Sequence, residues 1–515
     1  MFRSIFTVSG FTLLSRILGF ARDVLIARYL GAGATADVWV AAFRLPNLFR
    51  RIFGEGAFNA AFVPMYSGRI EEEGEREADD FASRTISLMF VLLVVIFVLA
   101  FLFMEPIVRL TAVGFEANGQ LEPAVGASRI TVGYLIFICL VAAISGVLNS
   151  RRVFGAPAFA YVVLNIVFLI ALLLVIPRSD DPLRVLCWSV MVSGVAQLLV
   201  VVVAAYRRGV QFRPRLPKVD ADMKKLGGLM APGLVSAGIQ QLNLLVGQTV
   251  VSLQVGGVAI FFFADRINQL PLGLLGIALG TVMLPEITRK LRGGDETGAR
   301  TTLIQGMEFA LLFGLPAVAA MLVIPNPIMH ALFVNGEFTG EDAVVGGKVL
   351  AAFALGTPAY VLARVLQPAY FAREDTRTPM RFTIISCVVN IALAYPSFLW
   401  IGPAGCALAT SVAGWVNLAL LWFGLRKAGY LRITAAFAGR VLRMLLASAI
   451  MGGLVWFLAG FAEPWVMTEG NYFTRVGVLC VLVAAGVFIY FAAVVLTRVY
   501  SVAELKQRLK RAPRA

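Results

Sequence analysis

The chain has 515 residues, 59% hydrophobic and 15% charged, with 45 Lys and Arg against 30 Asp and Glu, a net charge of +15. Roughly three hundred apolar side chains are far more than one water-soluble core can bury, which excludes a soluble enzyme of this length. At ~20 apolar residues per membrane helix, the supply suffices for about fourteen spans with short connections and leaves no room for an extramembrane domain.

Apolar runs between turn and charge clusters predict spans near 5–30, 36–66, 80–104, 126–148, 157–176, 184–206, 226–252, 257–288, 301–324, 344–370, 379–401, 403–425, 434–461 and 473–497. The expected fold is an all-α polytopic membrane protein of about fourteen transmembrane helices. The first span carries Arg16, Arg22, Asp23 and Arg28, which a signal-peptide core does not, so it reads as a retained helix although Ala34-Thr35-Ala36 mimics a cleavage site. The second holds Asp37, Arg44, Arg50, Arg51 and Glu55, with breaks at Pro46 and Gly54-Glu55-Gly56, and the loop after it is acidic from Glu71 to Asp80. Arg151 and Arg152 follow the fourth span, and Arg207, Arg208, Arg213, Arg215, Lys218, Lys224 and Lys225 follow the sixth. The eighth holds Asp265, Arg266 and Pro271, while the loop after the ninth, 325–347, has no Lys or Arg. Basic clusters return after the eighth, tenth and twelfth spans and in the amphipathic tail, 501–515. Basic loops therefore alternate, and the positive-inside bias makes them and both termini cytoplasmic; the acidic loop joins that side by parity.

Two ordered self-matches at nearly one offset point to a duplicated half. Ala42-Phe43-Arg44-Leu45 through Pro64 matches Ala264-Asp265-Arg266-Ile267 through Pro285, and Asn165-Ile166 matches Asn390-Ile391. Span two then maps to eight and five to eleven, six helices apart, so the halves share one orientation about an axis along the membrane normal. The expected organisation is an N-terminal six-helix lobe over 1–208 and a C-terminal six-helix lobe over 209–430 around a central cavity. An extra helix pair follows over 431–500, then the basic cytoplasmic tail, 501–515. The pair is apolar, which suits either plain packing or a groove for a hydrocarbon tail.

An arginine at mid-bilayer costs ~2.5–3.5 kcal/mol on insertion scales, so such charges normally face a wet cavity. At ~100° per residue, Arg16 and Asp23 share a helix face, as do Asp37, Arg44 and Arg51. Three readings remain: snorkelling to headgroups, ion pairs inside the bundle, and a site for an anion. For Arg28, Arg44 and Arg51, snorkelling or cytoplasmic capping competes evenly with a cavity role, whereas Arg16, Arg22 and Arg266 sit well inside their spans. A phosphate or diphosphate pairs bidentately with guanidinium groups in a low-dielectric site, and a cationic drug would be repelled. The remaining chemistry is sparse. His330 is read in an outer loop, the five cysteines lie in apolar runs, and no metal-ligand cluster, nucleophile constellation or G-x-x-x-x-G-K-[ST] is present. The expectation is no enzyme, no cofactor, no metal and no nucleic acid.

The segment Ser15-Arg16-Ile17-Leu18-Gly19-Phe20-Ala21-Arg22-Asp23, the Gly31-Ala32-Gly33 break with Asp37, and Arg44-Leu45-Pro46-Asn47-Leu48-Phe49-Arg50-Arg51-Ile52-Phe53-Gly54-Glu55-Gly56-Ala57-Phe58 resemble the MurJ (MviN) family of bacterial lipid II flippases. The likeness recurs at Ala264-Asp265-Arg266 through Pro285. It implies the fold of the multidrug/oligosaccharidyl-lipid/polysaccharide exporter superfamily, in the bacterial inner membrane, with the last helix pair guiding a polyprenyl tail. It further implies alternating access that moves lipid II, the undecaprenyl-diphosphate-linked peptidoglycan precursor, to the periplasmic leaflet. Arg16, Arg22, Arg50 and Arg266 are then the substrate-binding set, with Asp23, Asp37, Glu55, Arg44 and Asp265 as ion pairs or gates. The partners implied are lipid II, membrane lipids and other cell-wall synthesis proteins. Spans seven and eleven lack Asp and Glu, which leaves a family-type sodium site without carboxylate donors. An exporter of drugs or other lipid-linked glycans, and a non-transporting cell-wall scaffold, are the rival functions.

Overall fold

The computed structural model describes residues 2–50, 57–213, 215–216, 219–467 and 471–499. Contacts divide the chain into two compact units, Met1–Leu245 and Val246–Ala515. The first contains α1 (Phe2–Leu30), α2 (Ala34–Phe49), α3 (Ala57–Glu72), α4 (Glu75–Leu102), α5 (Met104–Thr111), α6 (Leu121–Thr131), α7 (Tyr134–Ser150), α8 (Gly155–Ile170), α9 (Pro182–Arg207) and most of α10 (Ala221–Val251). The second contains α11 (Gly257–Arg292), α12 (Glu296–Val323), α13 (Pro325–Phe333), α14 (Gly340–Phe371), α15 (Arg377–Ile401), α16 (Pro403–Lys427), α17 (Ala435–Val466) and α18 (Tyr472–Leu496). Helix is the expected outcome, because backbone polar groups in hydrocarbon must be satisfied within the segment.

Among the described residues the fourteen predicted spans fall on helix, and ten helices are long and apolar enough to cross a membrane on length and composition. The others are α1, α2 with α3, α10 and α11, the opening helices of each predicted lobe. Two stretches read as loop are short helices instead, α5 and α13, and His330 lies buried in α13. Amphipathic segments this short escape a search for long apolar runs.

The duplication extends over every helix of the first half. Helices α1 and α10 end at Leu30 and Val251, α4 and α12 begin at Glu75 and Glu296, and α9 and α16 begin at Pro182 and Pro403; each pair is 221 residues apart. The first two helices of each predicted lobe, α1 with α2 and α10 with α11, are joined through a left-handed glycine, Gly31 at φ 64° and Gly256 at φ 80°, a conformation that costs other residues about 1–2 kcal/mol. Helices α17 and α18 fall outside the repeat.

Charges organise the end of the first unit that carries the acidic loop. Asp79, at 6% exposure, accepts from Tyr66 Oη at 2.7 Å, from Arg151 Nη2 at 2.7 Å and from the Gln211 backbone N–H at 3.1 Å. Arg84 pairs with Asp80 and Asp220, Arg215 with Asp80 at 2.6 Å, and Arg69 with Asp222 at 2.7 Å. The basic connection before α10 is thus strapped along α4 by the acidic residues that precede it.

In the second unit, α14 and α16 approach closely at Gly356, where a methyl group would come within 2.5 Å of Ser411 Oγ. Glu308 of α12, 1% exposed, pairs with Arg440 of α17 at 2.9 Å. The added helix pair turns Trp456, Phe457, Phe461, Trp465 and Phe488 outward, a surface suited to lipid rather than water.

Candidate functional site

Arg22 is the best-defined member of the predicted set. It is 6% exposed on α1 and donates from Nε and Nη2 to Asp23 Oδ1, at 3.0 and 2.8 Å. Its Nη1 donates to Asn165 Oδ1 on α8 at 3.1 Å, and its guanidinium carbon lies 5.3 Å from the Phe168 ring centroid. Asn165 in turn donates from Nδ2 to the Ser15 carbonyl at 2.9 Å and to Ser15 Oγ at 3.1 Å. A charge buried this way survives only when paired and hydrogen-bonded. Arg22 is accordingly an ion pair with Asp23 inside the unit, its guanidinium over an aromatic ring.

Beside it stands an aromatic cluster. Trp39 and Phe43 of α2 stack at 5.3 Å, both contact Phe168, and Phe43 lies 6.3 Å from Tyr134 of α7. The Tyr134 hydroxyl donates to Gln197 Oε1 of α9 at 2.9 Å, and Gln197 Nε2 donates to the Ala160 carbonyl at 3.0 Å. Arg50 donates from Nε to Asn47 Oδ1 at 3.2 Å.

Arg16 is exposed and has no hydrogen-bond or ion-pair partner among the described residues. The face shared by Arg16 and Asp23 therefore makes no pair; Asp23, 1% exposed, is taken by its neighbour Arg22. Asp37 is fully buried in the first turn of α2, where the helix dipole favours a carboxylate, and its charge acts on Arg44 two turns later. Arg44 has a partner inside the unit. Its Nη1 donates at 2.9 Å to the Thr111 carbonyl at the end of α5, an acceptor that the helix leaves open. Glu55 lies outside the described residues, as do Arg51 and the tail 501–515.

In the second unit, Arg266 is half-buried with its guanidinium carbon 5.4 Å from the Phe262 ring centroid. Asp265 accepts from Gln269 Nε2 on the next turn of α11. Among the charges in predicted spans that the sequence reading passed over, some are held by the fold. Glu308 and Arg475 are buried inside α12 and α18, and Arg364 lies on α14, donating to the Leu272 carbonyl of α11 at 3.2 Å. Scanning for clusters of charge passes over single charged residues in apolar runs. Asn165 left a legible signal, since it anchors one of the two repeat matches. Among the described residues no group of three or more His, Cys, Asp or Glu could hold a metal ion.

A family described as lipid II flippase MurJ matches residues 26–475. A probable lipid II flippase MurJ of Rhizobium tropici is 39% identical over 510 residues, covering 98% of this chain and 96% of that protein. One of Rhizobium meliloti (strain 1021) is 40% identical over 491 residues, covering 94% and 92%. Among solved structures, a lipid II flippase MurJ in an inward closed conformation superposes with a TM-score of 0.77 at 24% identity, covering 98% of this chain and 99% of that one. A multidrug resistance MATE family transporter of the MOP superfamily, inward-facing, reaches a TM-score of 0.70 at 15% identity, covering 83% and 98%. The fold is therefore that of this superfamily, and the chain is an integral membrane protein that belongs to the MurJ family of lipid II flippases.

Proposed function

We propose that the chain carries lipid II, the undecaprenyl-diphosphate-linked disaccharide-peptide, from the cytoplasmic to the periplasmic leaflet by exposing one binding site to each side in turn, with both termini cytoplasmic. Its working parts are the lobes 1–208 and 209–430 and the added pair 431–500. The single observation that carries the reading is Arg22, a guanidinium kept inside an apolar bundle in a prebuilt network with Asp23, Asn165 and Phe168. Such a group suits a diphosphate, which accepts several charge-assisted hydrogen bonds and offers two or more negative charges in exchange for one carboxylate.

In this reading Arg16, Arg22, Arg50 and Arg266 bind the diphosphate. Arg16, exposed and without a partner among the described residues, makes the first contact, and the cargo then competes with Asp23 for the Arg22 fork. Asp23, Asp37, Glu55 and Asp265 neutralise the arginines when the site is empty, while Arg44 ties α2 to α5. The cargo's charge shifts the balance between the two exposures by its differential affinity for them. The polyprenyl tail stays in lipid along the apolar face of α17 and α18. No bond is made or broken, so the activity is transport rather than enzymic catalysis.

Purified protein in liposomes, given fluorescent lipid II in one leaflet, tests this. Cargo should become accessible on the opposite face well above a protein-free control. Arg22→Ala and Arg266→Ala should each reduce that movement at least tenfold while the protein remains folded. Movement of a cationic drug with no movement of lipid II would favour a drug exporter, and movement of neither would favour a scaffold.

A further inference from the structure

The interface between α11 and α14 carries a polar seam on each side of a proline. On α14, Thr357, Tyr360 and Arg364 recur at spacings of three and four residues, which places them on one helix face. Thr357 Oγ1, fully buried, donates to Asn268 Oδ1 of α11, and Asn268 is 4% exposed. Arg364 Nη1 donates at 3.2 Å to the Leu272 carbonyl. Between them the Tyr360 hydroxyl donates to the Thr410 carbonyl at 2.9 Å. The contacts on α11 thus bracket Pro271, and Arg266 lies two residues before Asn268.

Pro271 has no N–H to donate to the carbonyl four residues earlier, so α11 is less constrained there than in a regular helix. A cation inside a membrane helix that gives a hydrogen bond to a main-chain carbonyl just past that break is an expensive way to make a plain packing contact. We propose that Arg364 is a positioning residue. Together with the Thr357–Asn268 bond it clamps α11 on both sides of Pro271 and thereby sets the direction in which Arg266 is presented. The inference deepens the lipid II reading and rests on it for the meaning of Arg266; the clamp itself does not.

The test uses the full-length chain. For transport, Arg364→Lys, Arg364→Met, Asn268→Leu and the Arg364→Met/Asn268→Leu pair are compared in the liposome assay across lipid II concentrations. For the hinge, spin labels replacing Val255, in the turn that enters α11, and Val282 of α11, exposed positions on either side of Pro271, report the distance across the break. Arg364→Met is expected to lower the maximal rate about tenfold, with the half-saturating lipid II concentration within twofold of the parent, and to broaden the spin-label distance distribution. Arg364→Lys, which keeps a donor, should restore both. Because the two bonds serve one clamp, the double variant should be little worse than either single variant. Unchanged transport and distances in Arg364→Met, a half-saturating concentration raised severalfold, or fully multiplicative losses in the double variant would each overturn the proposal. Should the parent protein move no lipid II, the distance measurement still decides the clamp, so the two readings fail separately.

Discussion

At Arg22 three guanidinium donors are used, two on Asp23 and one on Asn165, so charge alone does not describe the residue. Arg22→Lys keeps the charge but has no planar fork, and transport of lipid II should fall tenfold or more. Arg22→Ala leaves Asp23 buried without its ion partner, and removing one member of a buried pair costs roughly 3–5 kcal/mol. Thermal unfolding should show that loss, and Arg22→Ala with Asp23→Ala should recover most of it without recovering transport. Stability that fails to recover would mean Asp23 answers to another group. Charge inside an apolar run was legible from the sequence, which is why Arg22 stood out. Its partners were not, because face spacing pairs positions on one helix, such as Arg16 with Asp23, while the Asn165 contact spans 143 residues.

Elements were read more fully than contacts. Apolar length fixes where a helix crosses, so the fourteen stretches fell on helices, whereas α5 and α13 were too short to register and the strap along α4 joins residues over 130 positions apart. Close approach of helices was also hidden, since glycine serves both to break and to pack. At Gly356 it packs: an added Cβ would meet Ser411 Oγ at 2.5 Å and Ser411 Cα at 2.6 Å, and the second is backbone that cannot swing aside. Gly356→Ala should therefore force α14 and α16 apart and destabilise by about 1–3 kcal/mol, visible as a lower unfolding temperature in detergent. Gly453→Ala, with open space around its Cβ, is the control that should leave it unchanged.

The strap gives a pH dependence at the same scale. Asp220 accepts from the Met223 backbone N–H at 2.9 Å and pairs with Arg84, and these, the backbone bond first, hold its carboxyl below the usual carboxylate range. A depressed value means the contribution is complete above the ordinary carboxylate pKa of ~3.9 and is lost as pH falls through the depressed one. A spin label at the exposed Leu216 should stay restricted from pH 7 to about 4 and loosen only below that. Asp220→Asn should be looser already at pH 7, and a titration near neutrality would point to a different group.

For the whole molecule, the loop from Glu71 to Asp80 is acidic where parity demands a cytoplasmic loop. The strap resolves the conflict physically. Asp79 and Asp80 are already engaged by Arg151, Arg84 and Arg215, so this end of the first unit presents a compensated surface, and its acidity is no signal of the opposite side. Acidic residues also count little toward orientation. The proposed orientation puts all the basic loops on one side, and a single prediction covers them. In a cysteine-free background, single cysteines at Glu73 and Gly429 should resist a membrane-impermeant maleimide in intact cells and react once the membrane is opened. Cysteines at Asn118 and Glu337 should react from outside. Labelling of Glu73 together with Asn118 in intact cells would place the acidic loop outside, break the alternation, and remove the argument that α2 with α3 crosses as one element.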